Sequence, residues 1–266
     1  MRRTAIHSIV LVPLLMLALV SCDQMFSTNL FASLTQKKIS ADSISSMSVS
    51  DVEALLSSTD SMNQLAADQA ARQAALKKLA GAYATKAQQA TASGQAAAIA
   101  AATIAIKTDP DAAQFTASAV SLVASLSFSS TTGPGEVATA LLGVLPPDIS
   151  TLLSSDAQPP SSFVQMVSAL TSANGAYQAL AGGVASDGGY ADSSVGADQK
   201  MEIAADAAIS GVLSAVKPGS SQPSAAAALW SSLRNPDHAS SYLSFGDMSA
   251  VVSQQQSLFD AAGLSL

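Results

Sequence analysis

Apolar residues recur at intervals of three and four along most of this chain, which is the spacing of one face of an α-helix. The clearest series is Phe163, Val167, Leu170, Ala173, Tyr177, Leu180 and Val184. No run alternates Val, Ile, Thr and aromatic residues with polar ones, as a half-buried strand would. The pattern therefore predicts an all-α fold, in which antiparallel helical hairpins form a bundle or a short α-solenoid with essentially no sheet.

Capping signals divide the N-terminal part of this pattern. Ser50-Asp51-Val52-Glu53 has the spacing of a capping box and predicts the start of the first folded helix. A longer helical segment follows from Asp60 to Ala92, with Leu65, Leu76, Leu79 and Tyr83 at helical intervals. Ser93-Gly94 predicts its end.

Two further helices are expected before the middle of the chain. One passes through Ile99, Thr103 and Ile106 and ends near Lys107. Asp109-Pro110 supplies an N-cap and a first-turn proline for the next helix. Its apolar positions are Phe115, Ala119, Leu122, Val123 and Leu126.

Proline and glycine clusters punctuate the middle of the chain and predict two short helices, near Glu136 to Leu145 and near Ile149 to Leu153. The long amphipathic helix through Phe163 comes next, and a Gly/Asp/Ser loop follows from about Ser186 to Gly196. A further apolar stripe is closed by Pro218-Gly219 and consists of Met201, Ala205, Ile209, Val212 and Val216.

The C-terminal part predicts two more helices. Pro223 fits the first turn of a helix that carries Leu229, Trp230 and Leu233 and ends at Asn235-Pro236. The last helix runs from about Met248 to Ala262 with Gly263 as its cap, and its apolar positions are Val251, Val252, Leu258 and Phe259.

The first 22 residues have a different pattern. Arg2-Arg3 precede an apolar run from Ile9 to Val20, which Pro13 interrupts, and Leu19-Val20-Ser21-Cys22 closes it. About 12 apolar residues are too few for a spanning helix, which needs roughly 20. The segment resembles the signal of bacterial lipoproteins, with Leu19 to Cys22 as the lipobox. The alternative is an ordinary secretory peptide in which Cys22 has no role.

The lipoprotein resemblance implies cleavage between Ser21 and Cys22 and acylation of Cys22. The protein would then be held at the cell envelope, at the periplasmic face of the inner membrane or at the outer membrane. We expect a cleaved signal over residues 1–21, a lipidated tether over residues 22–48 and one helical domain over residues 49–266. Two hairpin halves would meet near residues 129–160.

The composition and net charge of the chain indicate how its core is packed and which partners it can bind. Hydrophobic residues make up 48% and aromatic ones 5%, and much of the apolar fraction is alanine, so we expect a core of closely packed helices rather than bulky side chains. Removal of Arg2 and Arg3 leaves 10 basic against 19 acidic residues, a net charge of −9. Such an acidic chain is a poor partner for nucleic acid.

Candidate chemistry is sparse. With Cys22 acylated and His7 removed, the exported chain keeps only His238, which fits the first turn of a helix, so we expect no zinc set, no histidine-based triad and no cofactor. The loop carboxylates Asp187, Asp192 and Asp198 are open to two readings, a calcium site or a solvated loop. Trp230, Tyr242 and Phe245 either line a groove for an apolar or peptide ligand or pack in the core.

Gly81-Ala82-Tyr83 and Gly175-Ala176-Tyr177 indicate a faint internal repeat of helical hairpins. Together with Leu76, Leu79-Ala80 and Asp109-Pro110, the first copy resembles a tetratricopeptide repeat, although Ala96 stands near the place of the usual large aromatic residue and the proline is about six residues late. Exported helical lipoproteins of this kind, and the Ala/Ser-rich acidic lipoproteins of spirochaetes, are similar in architecture and composition.

These observations lead to three functional hypotheses. The first is a non-enzymatic, lipid-anchored scaffold or binding protein that holds a protein partner or an apolar ligand on its helix faces. The second is an accessory subunit of a solute-transport system that docks a periplasmic binding protein, as the repeat resemblance implies. The third is a carboxylate-based envelope hydrolase, which requires two buried acidic residues facing one cleft.

Overall fold

The computed structural model describes residues 38–125, 133–246 and 248–264, and nearly all of its regular structure is helical. The described residues form fourteen α-helices, a pair of short strands and two single 3₁₀ turns, Leu55–Ser57 and Pro236–His238. In chain order the helices and strands are α1 Ala41–Ser46, α2 Val49–Ala54, α3 Thr59–Ala67, α4 Gln69–Ala82, α5 Lys86–Gln89, α6 Ala92–Lys107, α7 Pro110–Ser125, α8 Pro134–Leu142, α9 Pro147–Leu152, α10 Ser161–Asp187, α11 Ala197–Ser214, β1 Val216–Pro218, α12 Ala225–Arg234, α13 Ala239–Tyr242, β2 Leu243–Phe245 and α14 Met248–Ala261. The all-α class predicted from the sequence is confirmed.

α10 is the central helix of the bundle. Its 27 residues pack most extensively against α6, α11 and α14. All seven side chains of its predicted apolar face, from Phe163 to Val184, are buried. Gly188 ends the helix with a φ of 75°, and the next amide, that of Gly189, donates to the carbonyl oxygen of Val184 at 2.9 Å. The predicted helix and its glycine-rich end are both confirmed.

α6 packs against α4 and α10 through small side chains. Six of its alanines are buried: Ala97, Ala98, Ala100, Ala101, Ala102 and Ala105. Methyl side chains let helices approach closely and fill the space between them without large side chains. The expected core of closely packed alanine-rich helices is present here.

The folded unit begins at Ile39 rather than at residue 49. Ile39 and Ile44 are both buried in the core. The backbone amide of Ile39 donates to Oε1 of Gln64 at 2.8 Å, and Nζ of Lys78 donates to the carbonyl oxygen of Ser45 at 2.9 Å. Residues 39–48, predicted as the end of a tether, therefore belong to the domain.

The predicted capping box is displaced by two residues. Ser48, not Ser50, is the N-cap of α2: its Oγ accepts from the amide of Asp51 at 3.1 Å, and Oδ2 of Asp51 accepts from the amide of Ser48 at 3.0 Å. Asp51 therefore makes the reciprocal hydrogen bond of the capping box that the sequence pattern predicts for Glu53.

The predicted helix from Asp60 to Ala92 is three helices, α3, α4 and α5. Asp68 interrupts it, because its Oδ1 accepts from the amide of Ala71 at 3.0 Å and caps α4. The predicted stop at Ser93-Gly94 is also wrong. Both residues lie in the first turn of α6, whose N-cap Thr91 accepts from the amide of Gly94 at 3.0 Å.

The start of α7 and the two short middle helices follow the sequence pattern. Oδ1 of Asp109 accepts from the amide of Ala112 at 2.8 Å, which confirms the predicted cap, and Phe115 is buried. α8 and α9 begin at Pro134 and Pro147, close to the predicted positions. The other predicted apolar positions of α7 lie outside the described side chains, namely Ala119, Leu122, Val123 and Leu126.

The apolar stripe predicted for α11 is both helical and buried only in its middle part. Ala205, Ile209 and Val212 are buried, whereas the Met201 side chain is 39% exposed near the start of the helix. Val216 is not helical, because α11 ends at Ser214 and Val216 pairs antiparallel with Phe245 in the β1–β2 ladder.

The C-terminal helices need one correction. Pro223 stands before the N-cap of α12 rather than in its first turn, and the cap is Ser224, whose Oγ accepts from the amide of Ala227 at 3.1 Å. At the end of α14, Gly263 has a φ of 73°, and the amide of Leu264 donates to the carbonyl oxygen of Phe259 at 2.9 Å. The predicted glycine cap is confirmed.

The two hairpins of the predicted repeat share a core, since α10 of the second packs against α6 of the first. Their Gly-Ala-Tyr triplets are not equivalent in position. Gly81 and Ala82 end α4, with Tyr83 as the C-cap, whereas Gly175, Ala176 and Tyr177 lie in the middle of α10. Within the described part of the chain, no helix combines the length and the hydropathy needed to cross a membrane.

Candidate functional site

A small cavity lies between α6, α10 and α11, with a volume of about 70 Å³. Ile99, Ile106 and Ile203 form its apolar wall. Its polar lining consists of Thr103, Lys107, Tyr177, Gln199, Glu202 and Asp206. The cavity is therefore built by α6 together with the consecutive helices α10 and α11.

Asp206 is the most deeply placed carboxyl group of this cavity, with 7% of the residue exposed. The hydroxyl of Tyr177 donates to its Oδ2 at 3.2 Å. Its other oxygen, Oδ1, is buried and has no hydrogen-bond partner among the described residues. A buried acceptor without a donor costs about 1–3 kcal/mol when the group is charged or polar, and this burial favours the protonated form of the carboxyl group.

Burial raises the pKa of Asp206 to about 7. The nearby carboxylate of Glu202 raises that pKa further, while the hydrogen bond from Tyr177 and the charge of Lys107 lower it. Burial, and then the charge of Asp206, raise the pKa of Tyr177 well above its usual value. The tyrosine therefore remains a donor at neutral pH, whereas the aspartate is poised between its two protonation states.

Lys107 and Glu202 form an ion pair beside the cavity, with Nζ and Oε1 3.8 Å apart. Both side chains are more than half exposed, so the cavity reaches the surface at this pair. Exposed pairs of this kind contribute little to stability. Their larger effect here is on charge, because Asp206 and Glu202 together outweigh Lys107 by one negative charge when ionised.

Asp206 is not among the site residues predicted from the sequence, although the sequence carries a signal for it. Asp206 is the one charged residue in the run from Ile203 to Leu213, where every residue is buried. Glu202 precedes it by four positions, a spacing that puts both on one face of α11. A carboxyl group inside an apolar helical stripe is the pattern that marks this position.

The carboxylates of the predicted calcium loop do not converge. Asp187, Asp192 and Asp198 are all exposed. Oδ1 of Asp192 accepts from the amide of Ser194 at 2.8 Å within the loop itself, and this hydrogen bond lowers the pKa of Asp192. In the described part of the chain, no three His, Cys, Asp or Glu residues are grouped so that they could hold a metal ion.

The same loop is attached to the bundle at Tyr190 and Ala191. The amide of Ala191 donates to Oε1 of the buried Gln95 in α6 at 2.9 Å. Nζ of Lys200 lies 5.5 Å from the centre of the Tyr190 ring, and burial raises the pKa of this tyrosine. The middle of the loop is therefore attached to α6 and lies beside the start of α11.

The three aromatic residues of the predicted groove differ in exposure. Trp230 is completely buried, its ring 4.9 Å from that of Phe163, and its Nε1 donates to the carbonyl oxygen of Asp156 at 2.9 Å. Its ring is therefore part of the core and not the lining of an open groove. Tyr242 and Phe245 are half-buried beside the short strand pair.

His238 is exposed in the 3₁₀ turn Pro236–His238. Ser21 and Cys22 lie outside the described residues.

No protein-family model, no curated protein and no solved structure matches this chain.

Proposed function

We propose that this protein is a lipid-anchored, non-enzymatic helical scaffold or binding protein of the bacterial cell envelope. One observation carries the proposal: the lone cysteine of the chain, Cys22, follows Leu19-Val20-Ser21 at the end of a short apolar segment. Acylation at Cys22 would hold the helical domain at a membrane, with residues 23–38 between the anchor and the first core residue, Ile39.

The cavity at Asp206 supports a binding role over catalysis on a large substrate. Sites for drug-sized ligands measure roughly 300–1,000 Å³, whereas this cavity measures about 70 Å³. The hydrolase alternative requires two buried carboxyl groups in one cleft. Asp206 meets this requirement, but the Glu202 side chain in the same cavity is 53% exposed. A protein partner on the helix surfaces remains the function we propose.

The charge of the mature chain indicates what kind of partner fits. After removal of the signal, acidic residues outnumber basic ones by nine, so the surface attracts cationic groups and repels nucleic acid. We therefore expect a partner that presents basic side chains, and we expect its association to weaken with added salt.

Lipid labelling tests the anchor. Cells that express the full chain are grown with a radiolabelled fatty acid, and label on the protein is compared between the wild type, Cys22→Ala and the nearby control Ser27→Ala. We expect label on the wild type and on Ser27→Ala and none on Cys22→Ala, because the variant lacks the thiol that is acylated. Equal label on all three would overturn the proposal.

A further inference from the structure

We propose that a basic face on α4 and α5 lies on the anionic phospholipid headgroups of the membrane that holds Cys22. The basic face consists of Arg72, Lys77 and Lys78 of α4 and Lys86 of α5. This role rests on the proposed function, because the lipid anchor is what keeps the face within reach of a bilayer. The basic face would determine which side of the domain is turned toward the lipid.

Charge is unevenly distributed along the chain. Residues 69–108 include five basic residues and no acidic one, and the five are Arg72, Lys77, Lys78, Lys86 and Lys107. Residues 109–266 include three basic and thirteen acidic residues, a net charge of −10. The segment that forms α4, α5 and α6 is therefore the positive part of an acidic molecule. An anionic surface attracts this part and repels the rest.

The cations of the basic face keep their charge unpaired. Nη1 of Arg72 donates to Oγ1 of Thr108 at 3.5 Å, and Nζ of Lys78 donates to the carbonyl oxygen of Ser45 at 2.9 Å. Both acceptors are neutral. In the part of the chain that the structure describes, none of the four basic side chains forms an ion pair with a carboxylate. Their charges are therefore available to an anionic partner.

The geometry of α4 turns these charges outward. Its buried side consists of Ala71, Ala75 and Leu79. Lys77 is exposed and stands about 200° around the helix axis from Ala75. Arg72 and Lys78, three positions before and after Ala75, lie at the two edges of the exposed side. Lys86 is exposed at the start of α5. Long basic side chains at such edges can extend their charged ends toward an interface.

Two carboxylates border the basic face without cancelling its charge. Asp68 is the N-cap of α4. Asp51 lies near Lys78, because hydrogen bonds from Ser48 and, to a smaller extent, the charge of Lys78 lower the pKa of Asp51. Four cations against these two carboxylates leave an excess of positive charge, which complements an anionic bilayer.

The chain enters the domain beside this face. α1 packs against α4, and the first core residue, Ile39, stands two residues before α1. Residues 23–38, which separate Cys22 from Ile39, can reach at most about 55 Å. The 14 residues of α4 extend about 21 Å. The tether is therefore long enough for α4 to lie along the bilayer surface.

Lysine reactivity on vesicles tests the basic face. The purified full chain is added to vesicles of phosphatidylcholine alone, or with about one third phosphatidylglycerol, and is briefly acetylated; mass spectrometry then measures each lysine. We expect Lys77 and Lys86 to react at least threefold more slowly on the anionic vesicles. The exposed Lys217 of β1 should react equally on both. Sodium chloride at 1 M should abolish the difference, because it screens charges beyond about 3 Å.

Two single variants separate the basic face from general charge. Lys86→Gln removes one exposed cation from the face, and Lys217→Gln removes one exposed cation outside it. On anionic vesicles, the protection of Lys77 should fall at least twofold in Lys86→Gln and should stay unchanged in Lys217→Gln. The reason is that each basic side chain near an anionic surface strengthens binding about fivefold.

Flotation with the neutral vesicles reports the anchor alone. A chain that does not float with them, while Lys77 is protected on anionic vesicles, would contradict the proposed anchor and support the basic face. Equal reactivity of Lys77 and Lys86 on both kinds of vesicle would overturn the basic face, whatever the anchor does. Protection that arises without vesicles and grows with protein concentration would also overturn it, because the face would then bind the acidic part of a second copy.

Discussion

At the scale of single residues, Asp206 links the stability of the protein to pH. Its pKa is about 7 in the folded chain, against an ordinary value of 3.8 in the unfolded chain. Between these values the folded state binds more protons, so stability from this group is complete below the unfolded pKa and is lost as the pH rises through 7. We expect a loss of about 2 kcal/mol from pH 5.5 to pH 8.

Urea unfolding of the wild type and Asp206→Asn at these two pH values measures the effect. The asparagine side chain cannot ionise, so the stability of Asp206→Asn should lack this part of the pH dependence. Between pH 5.5 and pH 8 the variant should therefore lose less stability than the wild type. Asp198→Asn controls for a general change in net charge and should follow the wild type. Parallel pH profiles for the wild type and Asp206→Asn would show that Asp206 ionises normally.

Residue-level details were only partly predictable from the sequence. A cap was correctly expected at the start of α2, but Ser48 rather than Ser50 provides it. Both serines have an acidic residue three positions later, Asp51 and Glu53, so local chemistry alone does not choose between them. In the fold, the chain turns between α1, which ends at Ser46, and α2, which begins at Val49, and this turn places Ser48 at the N-cap.

At the scale of helices, Gly183 sets how closely α5 and α10 approach. A Cβ at Gly183 would overlap the carbonyl oxygen of Gln89, the last residue of α5. Because this neighbour is backbone, it cannot rotate away, so we expect Gly183→Ala to lower the free energy of unfolding by about 1–3 kcal/mol. Chemical denaturation measures the loss.

Gly175 is the matched control in the same helix. It is exposed, and a Cβ there would meet no described atom within 4 Å. Gly175→Ala should therefore raise the stability by about 0.5–1 kcal/mol, because alanine loses less backbone freedom in a helix. If both substitutions changed stability in the same direction, the close packing at Gly183 would not be the cause.

The helices most accurately predicted are those whose apolar pattern is strong. α10 was identified because its buried face is made of large side chains at regular spacing, from Phe163 to Val184. The segment from Asp60 to Ala92 is predicted as one helix because Leu65, Leu76, Leu79 and Tyr83 fall at helical intervals and the alanine and glutamine residues between them favour helix throughout. The segment is broken at capping residues such as Asp68. The side chain of a capping residue ends a helix only where tertiary packing bends the chain at that residue.

At the scale of the whole molecule, the sequence predicted the fold class and not the site. Tyr177 and Asp206 are 29 positions apart, and Lys107 is much earlier in the chain. Their meeting depends on which faces of α6, α10 and α11 pack together. In small-residue helices these faces differ little in hydrophobicity, so periodicity alone cannot choose among the possible packings. The local sign of the site in the sequence is a single carboxylate, Asp206, in an apolar helical stripe.

The start of the folded domain gives a prediction for the whole molecule. A chain of residues 49–266 lacks Ile39 and Ile44, which are buried in the core, and loses the contact of Lys78 with Ser45. We expect it to be less stable than residues 38–266 by about 3–6 kcal/mol, since burying each isoleucine contributes about 1.5–3 kcal/mol. Urea unfolding compares the two chains, with Ile44→Ala and the exposed Ser46→Ala in the longer chain as destabilised and neutral references. Equal unfolding midpoints would contradict this prediction, because they would mean that the packing of α1 against α4 contributes nothing to stability.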